Sequence, residues 1–184
     1  MPSKSVLFWL GSVLILVGAA LLAVYGGNVY RSAEAQKAAK QQLNSPQAIP
    51  PAVRRGDVLG ELSIPRLHLS VMVFEGDDEG ILKIGAGHIP GTALTPGEGN
   101  IGIAAHRDTF FHPLRLIHPR DQIALRTPAG TSRFAVTTTE IVPPSRTQVL
   151  APSPGRDLTL VTCYPFIYIG HAPKRFIIHA QKIP

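Results

Sequence analysis

The chain has 184 residues, room for one domain of ordinary size, and 45% of them are hydrophobic, so a wholly disordered chain is excluded. Gly and Pro number 17 each, which favours many short elements over a helical bundle, and the single cysteine excludes a disulfide scaffold and a multi-Cys zinc site. The net charge is +6, but residues 1–43 hold Lys4, Arg31, Lys37 and Lys40 against Glu34, so the remainder carries a mild +3 of scattered charges, which argues against a nucleic-acid partner.

Val6 to Tyr25 is a run of 20 residues without a charge. As a helix it is roughly 30 Å long, enough to cross the core of a bilayer, with Trp9 and Tyr25 placed for the two interfaces. The rival is a cleaved signal peptide. The run exceeds a usual signal core, and the nearest small-x-small site, Ala33-Glu34-Ala35, lies well beyond it. An uncleaved anchor is the better reading. The positive-inside rule, counted on Lys4 against Arg31, Lys37 and Lys40, places residues 26–184 in the cytoplasm. The chemistry of the candidate site argues for the other side.

Arg31 to Leu43 is rich in Ala, Lys and Gln and continues the helix as a stalk. Pro46, Pro50 and Pro51 then break helical structure, so 44–56 reads as a semi-stiff tether. The organisation expected is an anchor and stalk over 1–43 (span about 6–25), a tether over 44–56 and a folded domain over 57–184.

The domain reads as short strands between turns. Leu59 to Ile64 alternates until Pro65 stops it, and Leu67 to Phe74 is a second apolar run with His68 inside it. Glu79 to Ile84 predicts one short helix with acidic residues at its start, and His88 follows Gly85-Ala86-Gly87 in a turn. Asn100 to Ala105 is a compact strand, and Phe111 to Ile117 a second helical turn. Asp121 to Arg126 and Arg133 to Val142 form a hairpin about Pro128-Ala129-Gly130; Leu158 to Thr162 and Arg175 to Ala180 are the last strands. Seven or eight short strands with few helices predict a mainly β chain closed into a barrel.

Cys163 ends an apolar strand and precedes Tyr164-Pro165. A lone cysteine is most often a small buried hydrophobe. A nucleophilic one needs a neighbouring base or cation to supply thiolate. Of the seven histidines, His106 mirrors Cys163: it ends the apolar strand Ile101 to Ala105 and opens the polar stretch Arg107-Asp108-Thr109. His88 ranks behind it; His68 and His179 lie in strands, and His112, His118 and His171 in loop or Pro-flanked contexts. Arg175, at the start of the final strand, is a candidate fixed cation for a developing oxyanion. Singly, each has a bland structural explanation.

Together these segments resemble the sortase family, most closely its class D. The resemblance rests on Leu158-Thr159-Leu160-Val161-Thr162-Cys163-Tyr164-Pro165-Phe166, on Ala105-His106-Arg107-Asp108-Thr109-Phe110-Phe111 and on Ala172-Pro173-Lys174-Arg175-Phe176. Gly87-His88-Ile89-Pro90-Gly91-Thr92 and Gly60-Glu61-Leu62-Ser63-Ile64-Pro65 also match, so it covers about 57–182. Ala105 departs from the glycine that relatives often carry before the histidine. The resemblance implies an eight-stranded β-barrel and a cysteine transpeptidase on the outer face of the cytoplasmic membrane. Cys163 matches the nucleophile, His106 the general acid/base and Arg175 the oxyanion-stabilising residue. The implied partners are secreted proteins with a C-terminal Leu-Pro-x-Thr-type sorting signal, cut after Thr, and an amine acceptor that takes the acyl chain from a thioester. A sortase-fold hydrolase and an idle membrane-tethered peptide-binding barrel stay open. No cofactor is expected: some sortases bind calcium, but Glu75, Asp77, Asp78 and Glu79 read as a solvated loop and helix start. An L,D-transpeptidase would place Gly-Cys after a nearby Ser-His, and Cys163 follows Thr162 instead.

Overall fold

A computed structural model describes residues 4–45, 53–94 and 99–184. The three prolines of the expected tether, Pro46, Pro50 and Pro51, lie outside the described residues. A long helix, α1 (Lys4–Asn44), leads into a barrel of β1 (Val58–Ile64), β2 (Leu69–Glu75), β3 (Ala86–His88), β4 (Gly99–Ala104), β5 (Gln122–Thr127), β6 (Gly130–Val142), β7 (Arg156–Tyr164) and β8 (Lys174–Ile183). The strands close in the order β1-β2-β3-β4-β7-β8-β6-β5, with β5 paired back on β1. Closure removes every sheet edge, so no strand is left as a template for foreign pairing. Short helices are few: α2 (Glu79–Leu82) and the 3-10 turns η1 (Pro65–Leu67), η2 (His112–Leu116) and η3 (Thr147–Leu150). The mainly β, eight-stranded barrel behind an apolar helix is the fold that the sequence predicted.

The core follows from strand alternation. Leu62 and Ile64 of β1, Ile101 and Ile103 of β4, Leu158 and Leu160 of β7 and Ile178 and Ala180 of β8 fill the interior. Phe111 and Leu114, both fully buried, and Ile117 join this core from η2 and its flanks. β4 runs parallel to β7 and β7 antiparallel to β8, so these three strands form one wall.

Two local expectations change. His68 is not inside a strand: it caps η1 in the left-handed region at φ 49, exposed, and β2 begins one residue later. His88 is not in a turn: it is a buried residue of β3, which is only three residues long. Pairing with β2 on one side and β4 on the other makes that strand, not local pattern.

The last turns of α1 lie against the barrel. Ala39 packs with Met72, Phe74 and Ile81. β3 starts only opposite Val73, and there the Gln36 amide takes over the strand's role. Its Oε1 accepts from the Met72 N–H at 2.8 Å, and its Nε2 donates to the Ile84 carbonyl at 2.6 Å. Lys40 reaches Glu61 at 2.8 Å, Ser70 donates to Glu61 at 2.6 Å, and Arg126 bridges Glu61 at 2.7 Å and the Asn44 Oδ1 at 2.8 Å. Burial alone pulls the Glu61 carboxyl upward, but Lys40, Ser70 and Arg126 together hold it at about 2, against an ordinary 4.5. A depressed carboxylate stabilises the fold above its unfolded value and loses that contribution as pH falls from about 4.5 toward about 2. Unfolding of the full chain in detergent should therefore show wild type and Glu61→Gln converging in stability as pH drops through this window. A gap between them that ignores pH would disprove the linkage.

Candidate active site

Along β7 the side chains of Leu158, Leu160 and Thr162 are buried, and those of Asp157, Val161 and Cys163 on the opposite face are half-buried. Thr162 is polar yet buried because its hydroxyl donates to the Ala105 carbonyl at 2.8 Å. The Ala105 N–H in turn donates to the Val161 carbonyl at 3.3 Å. These two bonds carry the β4–β7 pairing one residue past the last ladder pair, Ala104 with Val161. His106 follows two residues past the end of β4, the strand that runs parallel to β7. The Phe111 N–H donates to the His106 carbonyl at 3.0 Å, and the Phe111 ring is fully buried, so the turn after His106 is tied to the core.

Cys163 and Arg175 are direct partners across β7 and β8, which puts both side chains on one face. The strands run past their predicted ends here: β7 continues through Cys163 to Tyr164, and β8 starts at Lys174, because the two pair with each other beyond the apolar run. The Tyr164–Pro165 peptide is cis, and the chain leaves the sheet there. Tyr164, Phe166 and Phe176 pack edge to face or tilted, with centroids 5.5–6.4 Å apart, at the root of the β7–β8 loop. Cys163 is a free, half-buried thiol. Arg175 Nη1 donates to the Ala172 and Lys174 carbonyls at 3.3 and 3.1 Å, which turns one edge of the guanidinium onto its own loop. Cys163 and Arg175 thus face each other across β7 and β8, and His106 lies just past the end of β4, the neighbouring strand of that wall.

Two neighbours were not singled out in the sequence. Glu79 of α2 lies 3.6 Å from His106 Nε2 and also pairs with Lys83 at 3.3 Å. Glu79 is solvent-exposed in both contacts, so neither adds much to the stability of the fold. The only sequence signal was the acidic run itself. Arg107, read as the start of a polar stretch, is buried. Its one signal was adjacency to His106.

The other candidates have structural work. His88 meets Glu75 at 2.8 Å and both the Ala93 carbonyl and Thr92 Oγ1 at 3.0 Å, and so folds the chain after β3 back toward β4. His179 bonds Glu140 at 3.0 Å. The acidic run is dispersed: Glu75 serves His88, Asp78 caps α2 and pairs with Arg55, and Glu79 faces His106. Among the described residues no group of three or more His, Cys, Asp or Glu side chains is gathered to hold a metal ion.

A thiol opposite a guanidinium, with a histidine just past the end of the neighbouring strand, supplies the residue types that thiol-based acyl transfer needs. Residues 62–183 match the Sortase domain family, and the chain belongs to that family. It is 33% identical to Sortase D of Bacillus subtilis (strain 168) over 129 residues, covering 70% of this chain and 65% of that protein. It is 29% identical to Sortase SrtE1 of Streptomyces coelicolor over 185 residues, covering 85% of this chain and 52% of that protein. The chain thus spans between half and two thirds of the length of these relatives. A solved structure of a Sortase D5 transpeptidase from Clostridium perfringens superposes with a TM-score of 0.74 at 21% identity, covering 84% of this chain and 99% of that one, which shows the fold.

Proposed function

We propose that this chain is a membrane-anchored cysteine transpeptidase acting on proteins with a Leu-Pro-x-Thr-type sorting signal. The observation that carries the reading is the pairing of Cys163 with Arg175 across β7 and β8; His106, just past the end of the neighbouring strand β4, supports it. In this reading the Cys163 thiolate attacks the carbonyl carbon of the Thr residue, and the guanidinium of Arg175 stabilises the oxyanion. The C–N bond then breaks, His106 gives its proton to the leaving amine, and a thioester remains on Cys163. An acceptor amine attacks the thioester, His106 takes its proton, and the thiolate leaves. A thioester is reactive toward amines, so one site both cuts and joins.

The apolar part of α1 supports the anchor. The stretch from Phe8 on is long and apolar enough to cross a bilayer, and its large side chains, such as Leu14, Ile15 and Leu22, are exposed to whatever surrounds the helix. In this proposal lipid covers them, residues 1–43 anchor the chain, and 57–184 work on the outer face of the cytoplasmic membrane, where exported substrates are met.

One experiment tests substrate and side together. A quenched Leu-Pro-x-Thr peptide and a small amine are offered outside spheroplasts that carry the full chain. Cleavage with formation of the amine adduct is expected. Cleavage only after lysis would place the site on the inner face. Hydrolysis without adduct would favour the hydrolase, and no cleavage in either preparation the idle binding barrel.

A further inference from the structure

Arg107 directly follows His106 and is only 9% exposed. Its guanidinium runs toward the β7–β8 loop, residues 165–173. Nη2 donates to the Tyr168 carbonyl at 2.8 Å and the Gly170 carbonyl at 3.2 Å, and the guanidinium carbon lies 5.7 Å from the centre of the Tyr168 ring. The Arg107 carbonyl is itself held by His112 Nδ1 at 3.2 Å. The loop it grips is the segment that joins Cys163 to Arg175. One side chain therefore ties the segment of His106 to the connection between the other two candidates. The tip of that loop has little else to hold it: Ile167 and Ile169 are 90% and 101% exposed.

Nη1 of Arg107 is buried and has no hydrogen-bond partner among the described residues. An arginine kept for stability alone gains nothing by burying an unpaired donor, and such groups collect where function retains them. One guanidinium nitrogen here serves two carbonyls while the planar group lies over a ring, a fixed geometry that a point-charge ammonium on a flexible stem does not hold as rigidly.

We propose that Arg107 is a positioning residue for the acyl transfer: its guanidinium clamps the β7–β8 loop onto the His106 segment and so aligns His106 and Arg175 about Cys163. The clamp rests on the roles assigned under Proposed function. Misplacement of reacting groups by about 1 Å costs on the order of 10²-fold in rate, so a loosened loop should show in turnover before it shows in folding.

Arg107→Met and Arg107→Lys in the full chain test this. Methionine keeps most of the apolar stem and removes the buried unpaired donor. Tyr168 and Gly170 are exposed, so water can satisfy the released carbonyls and the fold should persist. Peptide turnover, hydrogen exchange over 165–173 and thermal unfolding are read on the same preparations. Both variants should lose about 10–100-fold in kcat with KM within about threefold, exchange faster over 165–173 and melt near wild type. Full activity of Arg107→Lys would show that charge alone suffices and would overturn the clamp. So would unchanged exchange over 165–173, or a loss of kcat that only tracks a loss of folded protein. Wild type and Cys163→Ala are run alongside. A wild type without Cys163-dependent cleavage removes the reaction and the clamp together, whereas an active wild type with an equally active Arg107→Met removes the clamp alone.

Discussion

Replacing Cys163 by alanine is expected to abolish both cleavage of a Leu-Pro-x-Thr peptide and transfer to an added amine. In the proposed reaction the thiol is the group that carries the acyl chain. Losing a covalent nucleophile costs on the order of 10⁴–10⁶ in kcat. The fold should hardly notice. Cys163 is half-buried beside the end of β7, and its backbone pairing with Arg175 does not depend on the sulfur. Truncation removes about one methylene equivalent, or about 1 kcal/mol, which lowers the melting point of a chain this size by about 2–4 °C. Melting and cleavage on the same preparation separate the outcomes. A variant that melts far lower yet still cleaves would show that Cys163 is a core residue with no part in the chemistry.

His106→Ala and Arg175→Lys should fail in different ways. In the proposed reaction His106 moves a proton, so its loss should cost about 10²–10⁴ in rate, whichever peptide is offered. Arg175→Lys keeps a positive charge and loses the fork. Directed hydrogen bonds to an oxyanion demand that fork, so lysine should be nearly as poor as alanine, about 10²–10³ below wild type. Lysine at wild-type rates would mean that Arg175 acts only as a charge near the thiol. Near-wild-type turnover by Arg175→Ala would remove it from the site altogether. Arg175 sits on backbone held by the β7–β8 ladder and the His106 carbonyl accepts from the Phe111 N–H, so neither change should alter the circular dichroism of the barrel.

Much of the fold was legible because its signals are local. The apolar run from Val6 to Tyr25 announces a membrane-crossing length whatever the domain does, since lipid demands only apolar side chains and a helix. The alternation of Leu59 to Ile64 and the hairpin about Pro128 and Ala129 reflect strand and turn geometry that neighbouring residues dictate. The candidate triad was legible for another reason: Cys163, His106 and Arg175 each stand where an apolar strand meets a polar segment, and strand ends are where a rigid frame presents a side chain.

The rest depends on contacts between distant parts of the chain. Ala86 to His88 is too short and too rich in glycine to show a period; it is a strand because β2 and β4 pair with it from both sides. Gln36 has no local mark as a substitute strand, and becomes one because β3 starts late beside Met72. Glu79 reaches His106 across 27 positions, and Arg107 reaches Tyr168 across 61. By itself the sequence determined the membrane-length helix and the β character of the domain, since composition and periodicity act over a few residues; Cys163, His106 and Arg175 it offered as candidates, joined by the family resemblance. The tertiary structure alone decided barrel closure, the register that sets Cys163 opposite Arg175, and the buried arginine beneath the loop between them, because each depends on hydrogen bonds that form only once remote segments have been brought together.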